Sequence, residues 1–206
     1  MGEAIAKRNA VTKHSLIHFG LGNILNKQLG RGLVFLAAEI VYLYYMISFG
    51  FGAIGNFVTL GTKEQGQVYN EALGIYEYTA GDNSMLFLLY GVITIILTLA
   101  AVGVACMSAK SAYCTQLRKE KGMHVPGFKE DILSVREENL HTAMLALPIL
   151  GIVIFTIVPL VFMILIAFTS YDHEHQPPGN LFTWVGFDNF KTMLGQGRKL
   201  AATVWP

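Results

Sequence analysis

The sequence predicts an all-α, polytopic integral membrane protein with three transmembrane helices, a cytoplasmic N-terminus and amphipathic interfacial helices. Three observations predict it. The 206 residues are 53% hydrophobic and only 14% charged, whereas soluble domains carry about 25% charged residues. The apolar residues gather into three long runs, each matching the roughly 20 helical residues needed to cross a hydrocarbon core. Finally, Lys and Arg concentrate in alternate connecting segments.

Residues 1–31 form the first segment, expected in the cytoplasm. It carries Lys7, Arg8, Lys13, Lys27 and Arg31, without the short apolar core and small-residue cleavage site of a secretory signal. Within it, Leu16 to Leu29 places Ile17, Leu21, Ile24 and Leu25 on one helical face, the pattern of a helix lying on the inner leaflet. The first span follows at 32–54. It contains one acid, Glu39. An acid at mid-membrane costs about 2.5–3.5 kcal/mol on insertion scales. Glu39 is thus either a proton or substrate contact or a shallow glutamate, a turn or two from Arg31, that reaches the inner interface; the shallow reading is favoured.

Residues 55–84 make the next loop, which holds Lys63 beside Glu64, Glu71, Glu77 and Asp82. Its scarcity of basic residues places it outside. The second span, 85–107, is uncharged. The loop at 108–142 carries Lys110, Arg118, Lys119, Lys121, Lys129 and Arg136, so it belongs inside. Its last part, from Lys129, reads as an amphipathic helix running into the third span, 143–169. Pro148 and Pro159 interrupt that span. Membrane helices tolerate proline because neighbouring groups re-satisfy the freed carbonyls, and a kink is expected. The remaining 170–206 is then external. Cys106 and Cys114 form no CxxC pair and read as inert or packed thiols.

The stretch TSYDHEHQPPGNLFTWVGFDNF, from Thr169, decides between chemistry and architecture. Asp172, His173, Glu174 and His175 are consecutive. In an extended chain neighbours face opposite ways, which leaves two ligands per face where zinc sites use three or four. No metal site, cofactor or catalytic group is therefore predicted. The sequence also lacks a GxxxxGK[ST] phosphate loop and a basic stripe suited to nucleic acid. Pro177-Pro178-Gly179 turns the chain. Leu181, Phe182, Trp184 and Val185 suit a lipid–water boundary, and Asp188 is placed as the N-cap of a short helix.

The proline-bearing span followed by FTSYD, PP and WVGFDNF, within Leu147 to Leu194, resembles the start of the core in sugar-importer permeases of the ATP-binding-cassette class. More narrowly it is similar to the maltose/maltodextrin-type subunit, which carries extra N-terminal helices. The resemblance covers nearly the whole chain, with sharp motifs only in 143–194. It implies a multi-pass protein of the bacterial plasma membrane. It further implies a second permease subunit, a cytoplasmic ATPase dimer that hydrolyses ATP, an extracellular sugar-binding protein and an oligosaccharide substrate. On this reading Trp184 and Asp188 are candidate contacts for the binding protein. The family's EAA-type coupling loop does not occur in the sequence. Its substrate-lining helices are expected beyond Pro206, where a fourth span would follow, so the chain reads as an N-terminal part. A small non-transport membrane scaffold or assembly protein is the alternative reading.

Overall fold

The computed structural model describes residues 18–130, 133 and 140–195. Among them, three helices are long and apolar enough to cross a membrane: Leu29–Thr59, Ser84–Glu120 and Met144–Ile166. The chain divides into two compact units, residues 1–50 with 95–150 and residues 51–94 with 151–206. The amphipathic helix expected from Lys129 lies largely outside the described residues, as does Leu16–Ile17.

The first unit opens with a short helix, α1 (Leu21–Leu25). It ends in a Schellman motif: the Lys27 amide donates to Ile24 O at 2.8 Å and the Gln28 amide to Asn23 O at 2.9 Å. The long helix α2 (Leu29–Thr59) follows at once, with a π-helical turn at Met46–Gly50. α1 packs on the protein through its polar side. Gly22 and Asn23 are buried while Leu25 is exposed. The polar side turns inward because it meets a polar stripe on the third helix, α3 (Ser84–Glu120). The Gly20 amide donates to Ser108 Oγ at 2.7 Å, Ser111 Oγ to Asn23 Oδ1 at 3.2 Å, and Thr115 Oγ1 to Gln28 Oε1 at 2.8 Å. In hydrocarbon, polar groups seek protein and apolar groups face lipid. Gly20 is required here, since a Cβ would lie 2.2 Å from the Gly32 carbonyl oxygen.

α3 extends well past the apolar window that ends at Met107. The residues from Ser108 to Glu120 are mostly good helix formers, and a second Schellman motif ends the helix at Gly122. The Gly122 amide donates to Lys119 O at 3.1 Å and the Met123 amide to Arg118 O at 2.9 Å. Apolarity locates a span, whereas caps locate the helix ends, which explains why α2 and α3 both exceed their predicted limits.

In the second unit Leu60, Leu88 and Phe182 are fully buried, with Phe57, Met85, Phe162, Leu165 and Trp184 packed around them. Asn83 caps α3, its Oδ1 accepting from the Met85 and Leu86 amides at 3.1 and 3.2 Å. The loop at 55–84 contains a hairpin that departs from an all-helical reading. β1 (Gly66–Asn70) pairs antiparallel with β2 (Ile75–Thr79), with Val68 opposite Glu77 and Tyr69 opposite Tyr76. The β-branched and aromatic residues Val68, Tyr69, Ile75, Tyr76, Tyr78 and Thr79 on either side of Gly74 favour strands. The helical class stands, with this hairpin added.

The last long helix, α4, comprises Leu140–Ile152, a π-helical turn at Val153–Ile157, and Val158–Ile166. Pro159 lacks an amide proton and its ring crowds the carbonyl four residues back, that of Phe155. The wide turn lies at that point, so the helix continues through the proline. None of the apolar window of α4 is buried in the isolated chain.

Candidate functional site

Two places gather the residues singled out in the sequence. The first surrounds Glu39, in the first unit. Glu39 is buried, and its Oε2 accepts the Phe19 backbone amide at 2.9 Å. Its Oε1 lies 3.4 Å from Nδ1 of the exposed His18. The carboxylate turns to the chain that precedes α1. The reason is the polar stripe, which holds Gly20 and Asn23 against α3 and so brings the Phe19 amide to Glu39. An apolar groove of about 380 Å³ nearby is lined by aliphatic and aromatic residues, among them Ala38, Tyr42, Tyr45 and Leu97. The Tyr42 hydroxyl donates to Thr98 Oγ1 at 3.3 Å. Such a lining suits hydrocarbon and gives a sugar few hydrogen-bond partners.

The sequence reading missed Ser108, Ser111 and Thr115, which hold this arrangement. Their signal was present. They recur every three or four residues, on one helical face, where the apolar run of α3 gives way to charges.

The second place follows α4, in the second unit. The Ser170 amide donates to Thr183 O at 2.9 Å, and the Val185 and Gly186 amides donate to Phe168 O at 2.9 and 3.0 Å. An isolated antiparallel bridge joins Thr169 to Trp184. Thus the FTSYD and WVGFDNF stretches, separated in sequence, form one clasp. A helix at 188–195, α5, closes it. Asn189 Nδ2 donates to Ala167 O at 3.0 Å and Thr169 O at 2.8 Å. Phe168 packs between Phe187 and Phe190 with ring centroids 5.3 and 5.2 Å away.

Trp184 is half-buried. Its indole Nε1 donates to Phe57 O at 3.0 Å and its ring meets that of Phe57 edge-on at 5.4 Å. The fully buried Phe182 belongs to the protein core, which corrects the lipid–water boundary expected for it, and Trp184 packs against that core. Their rings fill the space that Leu60 and Leu88 leave. Asp188 is exposed and pairs with Lys191 at 2.8 Å. It is the first residue of α5 and not its cap: the Lys191 amide donates to Phe187 O at 3.0 Å, which makes Phe187 the capping position.

The acidic and imidazole run is a turn, not an extended chain. Asp172 Oδ1 accepts the Glu174 and His175 amides, each at 2.9 Å, and lies 2.7 Å from His175 Nδ1. The His175 side chain, followed by its amide, holds the Asp172 carboxyl below the ordinary carboxylate value. Among the described residues no group of three or more His, Cys, Asp or Glu side chains comes together to hold a metal ion.

No protein-family model matches the sequence, and no solved structure matches it. Curated relatives do. The maltodextrin transport system permease protein MalC of Streptococcus pneumoniae is 31% identical over 172 residues, covering 83% of this chain and 36% of the relative. MdxF of Bacillus subtilis, also a maltodextrin transport system permease protein, is 28% identical over 179 residues, covering 86% of this chain and 38% of the relative. The galactooligosaccharides transport system permease protein GanP of the same organism is 30% identical over 179 residues, covering 85% and 38%. The chain thus spans little more than a third of the length of these relatives.

Proposed function

We propose that the chain, which is similar along most of its length to permeases of bacterial oligosaccharide transport systems, forms part of the membrane pathway of an ATP-driven importer of a maltodextrin-like oligosaccharide. The observation that carries this is similarity along most of the chain to permeases named for maltodextrin and for galactooligosaccharides. The chain is embedded in the cell membrane by its three apolar helices. In this reading 1–31 and 108–142 lie in the cytoplasm, 55–84 and 170–206 lie outside, and the segments 32–54, 85–107 and 143–169 cross the bilayer.

The importer works by alternating access with a second permease subunit and a cytoplasmic ATPase dimer. An extracellular binding protein delivers the sugar. ATP binding and sugar delivery shift the balance between inward-open and outward-open states only by their differential affinity for the two. The clasp after α4 is the docking element. Asp188 is exposed for direct contact, and Trp184, turned onto Phe57, positions it. The test uses the complete permease, with its ATPase, in lipid nanodiscs. Asp188→Ala and Trp184→Ala are expected to lower ATPase stimulation by the sugar-loaded binding protein while leaving basal hydrolysis intact. Full stimulation in both variants overturns the docking role. Stimulation by galactotriose but not maltotriose overturns the maltodextrin assignment.

A further inference from the structure

Beyond the transport reading, the first unit holds a second cavity, of about 410 Å³, with cationic walls. It lies where α1 gives way to α2 and where the end of α3 turns back at Val125–Phe128. Lys27 and Lys119 line it, together with Leu29, Gly30, Pro126 and Phe128, and among the described residues no acid lines it.

The cavity is built. Gln28 Nε2 donates to Pro126 O at 3.1 Å, and Gln28 Oε1 accepts from Thr115, which fixes the turn at Pro126 against the α1–α2 junction. Gly30 lets Phe128 close against α2, since a Cβ there would lie 2.2 Å from the Phe128 ring. Lys119 Nζ donates to Asn26 O, which anchors its ammonium at the rim; an ammonium has three donors. Lys27 occupies a left-handed position, φ 63°, where glycine is usual. The start of α2 carries no side-chain cap, so its positive end also faces this region.

Depth selects the ligand. The apolar run of α2 starts at Leu33. At about 1.5 Å per residue, Leu29, the first residue of α2, stands roughly 6 Å beyond that run, and Lys27, in the turn before it, falls in the headgroup layer. The basic loops flanking the cavity put that layer on the cytoplasmic side. We propose that this cavity binds the phosphodiester headgroup of an anionic phospholipid of the inner leaflet, with Lys27 and Lys119 as its charge partners. A phosphate monoanion has the same recognition chemistry, and the cavity's position in the headgroup layer favours the lipid.

The test is native mass spectrometry of the chain as purified from bacterial membranes, titrated with phosphatidylglycerol against phosphatidylcholine. Lys27→Gly/Lys119→Gln removes both charges while giving residue 27 the backbone preference its position asks for. Lys121→Gln/Lys129→Gln removes two charges from the same loop outside the cavity. Losing both charge-assisted contacts to the phosphodiester should weaken phosphatidylglycerol binding by roughly a hundredfold or more. The control should bind as the parent does. Equal losses in both variants, equal binding of the two lipids, or displacement of phosphatidylglycerol by inorganic phosphate would each overturn the proposal.

Discussion

The side-chain amide of Asn189 donates a hydrogen bond to the carbonyl oxygen of Thr169 at 2.8 Å, and a second to Ala167 at 3.0 Å. The Ala167 carbonyl is at the end of α4, where helical acceptors have no intrahelical donor, and the Thr169 carbonyl belongs to the bridge with Trp184. Asn189 therefore caps, from a distance, the helix that the clasp must follow.

Asn189→Ala should loosen this clasp. Each bond contributes about 0.5–1.5 kcal/mol, so a loss of about 1–3 kcal/mol is expected. Faster limited proteolysis between residues 170 and 186 is the readout. Asn189→Asp should be at least as damaging, because a carboxylate has no proton to donate.

Glu39→Ala should release the chain before α1, whereas Glu39→Gln should largely retain it. Removing the carboxylate strands the Phe19 amide and forfeits a charge-assisted bond of about 1.5–3 kcal/mol. The glutamine oxygen still accepts. Disulfide formation between Asn23→Cys and Ser111→Cys, in a background lacking Cys106 and Cys114, reports on docking. Equal cross-linking in both Glu39 variants would show that Glu39 does not hold the segment.

Leu60 sets two effects against each other. It has φ 56°, a left-handed conformation, yet its side chain is fully buried. The conformation costs about 1–2 kcal/mol. Truncating a buried leucine costs about 2–5 kcal/mol. Burial wins, so Leu60→Gly should destabilise the second unit despite relieving the backbone, as measured by thermal unfolding in detergent.

Asp82 Oδ2 accepts the Thr62 and Lys63 amides at 2.8 and 3.0 Å. These amides, Thr62 first, hold its carboxyl below the ordinary 3.8. Its stabilising effect is complete above that value and is lost as pH falls through the lowered folded value. Protease resistance of the loop at 55–84 should therefore drop in acid below about pH 4. Asp82→Asn should remove that dependence.

The spans were legible because hydrocarbon imposes a compositional demand that no soluble helix meets for so long. Glu39 stood out as the one acid in them, but its partner did not. The Phe19 amide becomes available only because Ser108, Ser111 and Thr115 draw the preceding chain inward, and that depends on side chains dozens of residues away. The motif residues from Phe168 to Asn189 were legible as a pattern; that they bind one another was not. The hairpin at Gly66–Thr79 was readable from its β-branched and aromatic residues around Gly74, but its acidic residues drew the reading towards charge placement.

The contact between Gly20 and Ser108 spans 88 positions of sequence. At about 5–20 residues per second of synthesis, the ribosome needs roughly 4–18 s after releasing the first partner to supply the second. During that interval the leading strand has no berth. Insertion of α3 is thus the event that completes the amino-terminal half, and whatever delays its entry leaves a newborn chain open to quality-control proteases.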